Sequence, residues 1–161
     1  MENFIEEHKD LLIKITQEIL RVPSIEGPAT ADAPFGEGVK NALLKALDIA
    51  KELGFNTVNL DNILGYAEFG EGKDVISVLG HLDVVPEGDG WLYPPFGAEI
   101  HDGKIYARGA VDDKGPTMAA LFGAYTLKET KTPISKKVRI VFGTNEESGW
   151  KCMDYFRAVV K

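Results

Sequence analysis

Three short stretches of the chain carry side chains that could do chemistry together. "GHLDVVPEGDGW" places His81 and Asp83 two positions apart, after the apolar run Val75–Leu79. "YARGAVDDKGPTMAA" carries Asp112 and Asp113, and "VFGTNEESGW" carries Glu146 and Glu147 just after the run Val138–Phe142. Residues i and i+2 of an extended chain face the same way, so His81 and Asp83 can converge on one point. Adjacent residues point apart, so in each acidic pair one carboxylate can meet an ion while the other is held by neighbours or faces a water. One imidazole with several carboxylates is the nitrogen and oxygen donor set of a catalytic zinc site, or of two hard divalent cations. Such cations lower the pKa of water, and a free glutamate takes the released proton.

Each pair also has a plainer reading when taken singly. His-x-Asp can be a solvated turn. Asp112-Asp113 can complement the positive end of a following helix. Glu146-Glu147, after Thr144 or Asn145, is similar to a capping pattern. What joins the three is position. Each follows a predicted strand, and in open α/β sheets ligands bind beyond the carboxyl ends of strands.

The elements that must place them can be read from periodicity. Residues 3–21 have helical spacing through Phe4, Leu11, Leu12, Ile15 and Ile19, and Pro23 ends the helix. A Gly/Pro/Ala loop covers 24–38. A second helix spans 39–53, with Val39, Leu43, Ala46, Leu47, Ala50 and Leu53 on one side and Gly54 at its C′ position. Strands are predicted near 56–60, 63–69 and 75–79, the last read as short and buried. Another is predicted over 103–109, entered by the turn His101-Asp102-Gly103. A helix covers 116–129, with Pro116 in the first turn where proline is tolerated. The buried strand 138–142 follows, and a last helix starts near Ser148 or Gly149. Strands alternating with helices indicate an α/β domain with a mixed, largely parallel sheet and flanking helices.

Bulk properties narrow the function classes. The 161 residues suffice for one domain with a real core. The net charge of −7, with scattered Lys and Arg, argues against nucleic acid and against an anionic membrane surface as partners. A single cysteine, Cys152, allows no intrachain disulfide and reads as a small apolar filler. MENFIEEHKD lacks the basic and apolar regions of a signal peptide, and no apolar run approaches membrane-span length. The expectation is a cytoplasmic protein.

The three motifs, in this order and spacing, resemble the co-catalytic zinc metallopeptidases that include carboxypeptidase G-type enzymes, aminoacylases and dipeptidases. Within that family the likeness is greatest to the bacterial Xaa-His, carnosinase-like dipeptidases. It extends over nearly the whole chain, including "GEGVKNAL", "AKELGF" and "MDYF". The resemblance implies a dipeptidase that hydrolyses short peptides through a metal-bridging water. It implies two Zn2+ per complete site, with Mn2+ or Co2+ as substitutes. His81 would bind one metal, Asp112 would bridge both, and Glu147 would bind the other. Asp83 would buttress the His81 imidazole, and Glu146 would be the general base. The Asp112–Asp113 peptide is expected to be cis, with Gly115 and Pro116 setting a tight helix entry. Arg108 and Lys114 are read as structural or charge-balancing.

Residues 1–161 then read as the N-terminal part of the catalytic domain, without the lid domain and the C-terminal part. The family's further Asp and distal His have no counterpart here: Asp154 comes too soon, and His8 and His101 stand in other contexts. Alone, such a piece is expected to be incomplete and inactive, and to expose apolar surface through which it could oligomerise. Three alternatives stay open. One is an aminoacylase or deacylase of the same family. Another is a non-catalytic metal-binding module. The third is a plain α/β binding domain with acidic helix caps.

Overall fold

The computed structural model describes residues 1–160. Among the described residues, five helices and six strands follow one another as α1 (Glu2–Glu7), α2 (Lys9–Leu20), α3 (Glu37–Glu52), β1 (Asn56–Leu60), β2 (Leu64–Phe69), β3 (Val75–His81), β4 (Glu99–His101), β5 (Lys104–Tyr106), α4 (Lys114–Glu129), β6 (Lys137–Gly143) and α5 (Lys151–Val159). Four strands form the main sheet in the order β1-β2-β6-β3, and β4 and β5 make a separate hairpin. β1 and β2 are antiparallel, joined by Asp61, Asn62 and Ile63, the first two at positive φ as a tight hairpin turn requires. β2 and β6 are antiparallel, and β3 and β6 are parallel.

The α/β class and the mixed sheet agree with the sequence reading. The share of parallel pairing is smaller than expected: only the β3–β6 junction of the main sheet is parallel. That junction needs the long crossover containing α4, whereas the other neighbours are joined antiparallel.

Side chains of β6 alternate between two apolar layers, as a strand's period of two demands. Ile140 and Phe142 join a core with Ile19, Leu43, Leu47, Met118, Leu121 and Phe122 from α2, α3 and α4. Val141 faces the other way, against Leu64, Tyr66, Cys152 and Phe156. Cys152 is fully buried, the filler role expected of it. Burial also pushes its thiol pKa up.

Several expected boundaries move. The first helix breaks at His8, whose backbone leaves helical geometry. The second begins at Glu37, and α4 begins at Lys114 with Pro116 in its first turn. The strand expected over 103–109 is only Lys104–Tyr106, paired with Glu99–His101 rather than with the main sheet. α5 starts at Lys151, because Trp150 sits at φ 60 and stops the helix from extending back to Ser148.

The larger correction concerns β3. Its run has the sequence pattern of a buried strand, yet Ile76 is 53% exposed and Leu79 43%. β3 is the edge of the sheet, with a single neighbour, so its apolar residues lack cover that β6 enjoys on both sides. Only Gly80 and His81, at its carboxyl end, are buried.

This placement makes a contrast measurable by chemical unfolding. Ile140→Ala, at a position 1% exposed, should cost about 2–5 kcal/mol. Ile76→Ala, on the edge, should cost less than about 1 kcal/mol. Equal losses would contradict the edge position of β3.

Candidate metal centre

Parallel registration of β3 and β6 sets His81 beside Gly143, so the two strands end level. Past these ends the chain carries Asp83 on one side and Glu146 and Glu147 on the other. The start of α4 lies against the His81 end, with Asp112 and Asp113 just ahead of its first turn. All three motifs therefore meet at one rim of the sheet. His81, Asp112 and Glu147 each offer a ligand atom, and these atoms lie within 4.8 Å of one another.

The imidazole is held from both ends. Its Nε2 is 3.1 Å from Asp112 Oδ1 and 3.8 Å from Glu146 Oε2. Its Nδ1 is 3.0 Å from the Asp83 carbonyl oxygen and 3.4 Å from Asp83 Oδ1. The Asp83 backbone thus makes the closer contact, and its carboxylate stands behind. Asp83 Oδ1 is buried without a hydrogen-bond donor, while Oδ2 accepts from the Glu147 amide at 3.0 Å. Asp83 consequently ties the His81 strand end to the Glu146-Glu147 loop.

The acidic neighbours Asp112 and Asp113 divide as adjacent residues should. Asp112 is exposed and aims at the imidazole. Asp113 Oδ2 accepts from the His81 amide and from Thr117 Oγ1, both at 3.1 Å. The peptide between them is cis, as the resemblance implied. Gly80 allows the close approach: a Cβ there would overlap Thr117 Oγ1 and lie 2.9 Å from Asp113 Oδ2. Sequence reasoning missed Thr117 and the need for glycine at 80. The threonine one helical turn after Asp113 was the available signal.

Arg108 and Lys114 have structural contacts. Arg108 Nη2 donates to the Glu87 carbonyl at 3.0 Å, and its guanidinium lies 5.4 Å from the Trp91 ring centre. Lys114 is fully buried and donates to the Val22 carbonyl at 2.7 Å. His101 pairs with Glu99 and stacks on Tyr93, while His8 stacks on Phe4. Neither belongs to the rim cluster. Asp154 is on α5, paired with Arg157 at 3.5 Å.

The electrostatics favour a cation. Burial opposes a charge on His81, but the Asp83 carboxylate and carbonyl and the Asp112 carboxylate outweigh it, raising the pKa to about 9. The Glu147 carboxyl is pushed up by burial first and then by the like charge of Asp112. A proton on the imidazole is thus the positive charge the site supplies for itself. A divalent ion in its place would relieve the same repulsion, and the donor set of one imidazole and two carboxylates suits such an ion.

Residues 78–160, which contain all three motifs, match the peptidase family M20/M25/M40. YtjP of Bacillus subtilis (strain 168) is 51% identical over 150 residues, covering 92% of this chain and 32% of that protein. The Beta-Ala-Xaa dipeptidase of Lactobacillus delbrueckii subsp. lactis is 42% identical over 154 residues, covering 94% and 33%. The chain therefore spans about a third of the length of the curated relatives it matches. Among solved structures, human carnosine dipeptidase 1 superposes with a TM-score of 0.81 at 23% identity, over 96% of this chain and 36% of that one. The M20 family metallo-carboxypeptidase Sso-CP2 from Sulfolobus solfataricus superposes with a TM-score of 0.74 at 28% identity, over 91% and 34%.

The raised His81 pKa has a consequence for stability. The folded state holds the proton more tightly than the unfolded state, whose imidazole titrates near 6.5. The resulting stabilisation is complete below about pH 6.5 and is lost as pH rises through about 9. Lys114, pushed down to about 8 by burial, starts to release its proton near the top of that window. In chelator, the unfolding free energy should therefore fall between pH 6.5 and 8, by on the order of 2 kcal/mol. His81→Gln should flatten the profile. An equally steep profile in that variant would assign the titration to another group.

Proposed function

The chain belongs to peptidase family M20/M25/M40, and from that premise we propose that it is part of a metal-dependent dipeptidase acting on short peptides with a free amino end. The convergence of His81, Asp112 and Glu147 within 4.8 Å carries the reading. Support for the substrate class comes from the similarity to a protein named Beta-Ala-Xaa dipeptidase. We assign the Xaa-His preference and Zn2+ as the native metal from the motif resemblance alone.

In this reading His81 and Asp112 would hold one ion, and Asp112 and Glu147 would hold a second. When bound, the ions supply a Lewis acid for the scissile carbonyl and lower the pKa of the attacking water. Glu146 takes the proton from that water and delivers it to the leaving amine. Its carboxylate is suited to the task because it lies at the same rim, half-buried, close to the imidazole but outside the ligand trio. Asp83 keeps His81 oriented and, through the Glu147 amide, keeps the glutamate loop against it.

Catalytic zinc ordinarily has three protein ligands per ion. His81, Asp112 and Glu147 supply two for each, with Asp112 shared. We propose that residues 1–161 are the N-terminal part of the catalytic domain and that the remaining ligands and the lid lie in further sequence, consistent with relatives about three times as long. A free-standing 1–161 chain would then bind metal weakly and hydrolyse little.

Calorimetric titration of the chain with Zn2+ tests the assignment. Binding should be lost by at least about tenfold in His81→Ala and Asp112→Asn and kept in Glu146→Gln. In the full-length polypeptide, Glu146→Gln should lower kcat on β-Ala-His by about a hundredfold or more. Zn2+ binding indifferent to His81 and Asp112 would overturn the proposed centre.

A further inference from the structure

One short segment, Val22–Glu26, touches all three loops that carry the candidate ligands. The Val22 carbonyl accepts from Lys114 Nζ at 2.7 Å, at the residue where α4 begins beside Asp112 and Asp113. Ser24 grips the His81–Asp83 end twice: its Oγ donates to the Leu82 carbonyl at 2.6 Å, and its carbonyl accepts from the Val84 amide at 3.1 Å. Ile25 adds a parallel bridge to Val84. Glu26 Oε2 accepts from Asn145 Nδ2 at 3.3 Å. Asn145 is 1% exposed and fastens the glutamate loop, its Oδ1 accepting from the Lys151 amide and its carbonyl from the Trp150 amide.

Three strand or helix ends that are far apart in sequence thus share one anchoring segment. Ser24 and Lys114 are both fully buried, and placing two such polar groups out of water is costly unless they are hydrogen-bonded. Ser24 bonds to the Leu82 carbonyl of the His81–Asp83 end and Lys114 to the Val22 carbonyl of the segment, so the bonds that satisfy them also tie both elements to it.

We propose that Val22–Glu26 is a brace that sets the spacing of His81, Asp112 and Glu147, with Ser24, Glu26 and Lys114 as positioning residues. The proposal rests on the reading that this trio holds a divalent ion. Its effect is on pre-organisation: without the brace the three ligands remain but their loops move independently, and each must be ordered when the ion binds.

Glu26 is the cleanest probe, because it is exposed and its removal should leave folding intact. Two readouts are needed on the wild-type chain, Glu26→Ala and Glu26→Gln: Zn2+ affinity by calorimetry, and amide hydrogen exchange in chelator. Glu26→Ala should weaken Zn2+ binding by on the order of tenfold. It should also speed exchange at the Glu147 and Lys151 amides, with an unchanged thermal midpoint. Glu26→Gln, which keeps an acceptor oxygen, should restore both. Ser24→Ala should speed exchange at Val84 in the same way. Unchanged affinity and exchange in Glu26→Ala would overturn the brace while leaving the metal centre standing. Weaker binding without faster exchange, or no restoration by Gln, would overturn it in favour of a simple charge effect. Should the wild-type chain bind no Zn2+, the functional reading fails instead, and exchange decides the brace: faster supports it, unchanged overturns it.

Discussion

The level ends of β3 and β6 are the constraint from which the rest of the site follows. His81 lies beside Gly143 because the two strands run parallel in register. A shift by one residue would turn His81 to the opposite face and carry Asp83 with it. Parallel strands cannot be joined by a tight turn, so the chain must cross over through α4. That crossover brings Asp112 and Asp113 to the same rim, immediately before α4 begins. Topology thus assembles an imidazole and two acidic pairs from positions more than thirty residues apart.

Gathering that much negative charge has to be compensated. The site does so with a division of labour among its carboxylates. Asp113 and Asp83 are committed to backbone amides, of His81 and Glu147 respectively. Those bonds stabilise the carboxylates and rigidify the loops at once. Asp112, Glu146 and Glu147 are left facing the rim, against a single imidazole. A protonated His81 relieves part of the repulsion, and a dication would relieve more. This balance explains why the same groups that make the site unfavourable when empty of charge compensation suit it to a divalent ion.

Much of this was legible in the sequence, for reasons that differ by element. The helices announce themselves because α2 and α3 each put one apolar stripe on the core. The glutamate pair stands out because it follows an apolar run and precedes a break, and the aspartate pair because it stands just ahead of a helix. The burial of β3 was not legible. A run such as Val75-Ile76-Ser77-Val78-Leu79 has the pattern of an interior strand, and exposure depends on how many neighbours the strand has, which no local pattern records. The short β4–β5 hairpin, standing apart from the main sheet, was missed for a similar reason. The anchoring role of Val22–Glu26 was equally hidden, since it uses backbone carbonyls and partners about sixty to a hundred and twenty positions away. A Gly/Pro-rich stretch there reads only as a loop.

The whole picture depends on His81, Asp112 and Glu147 holding divalent cations at this rim. Crystals of the chain grown with Zn2+, with diffraction recorded on both sides of the zinc absorption edge, locate the ion directly. The predicted result is anomalous density at this rim, against His81 Nε2 and Asp112 on one side and against Asp112 and Glu147 on the other. A peak confined to other residues, or none at this rim with zinc in excess, would contradict it.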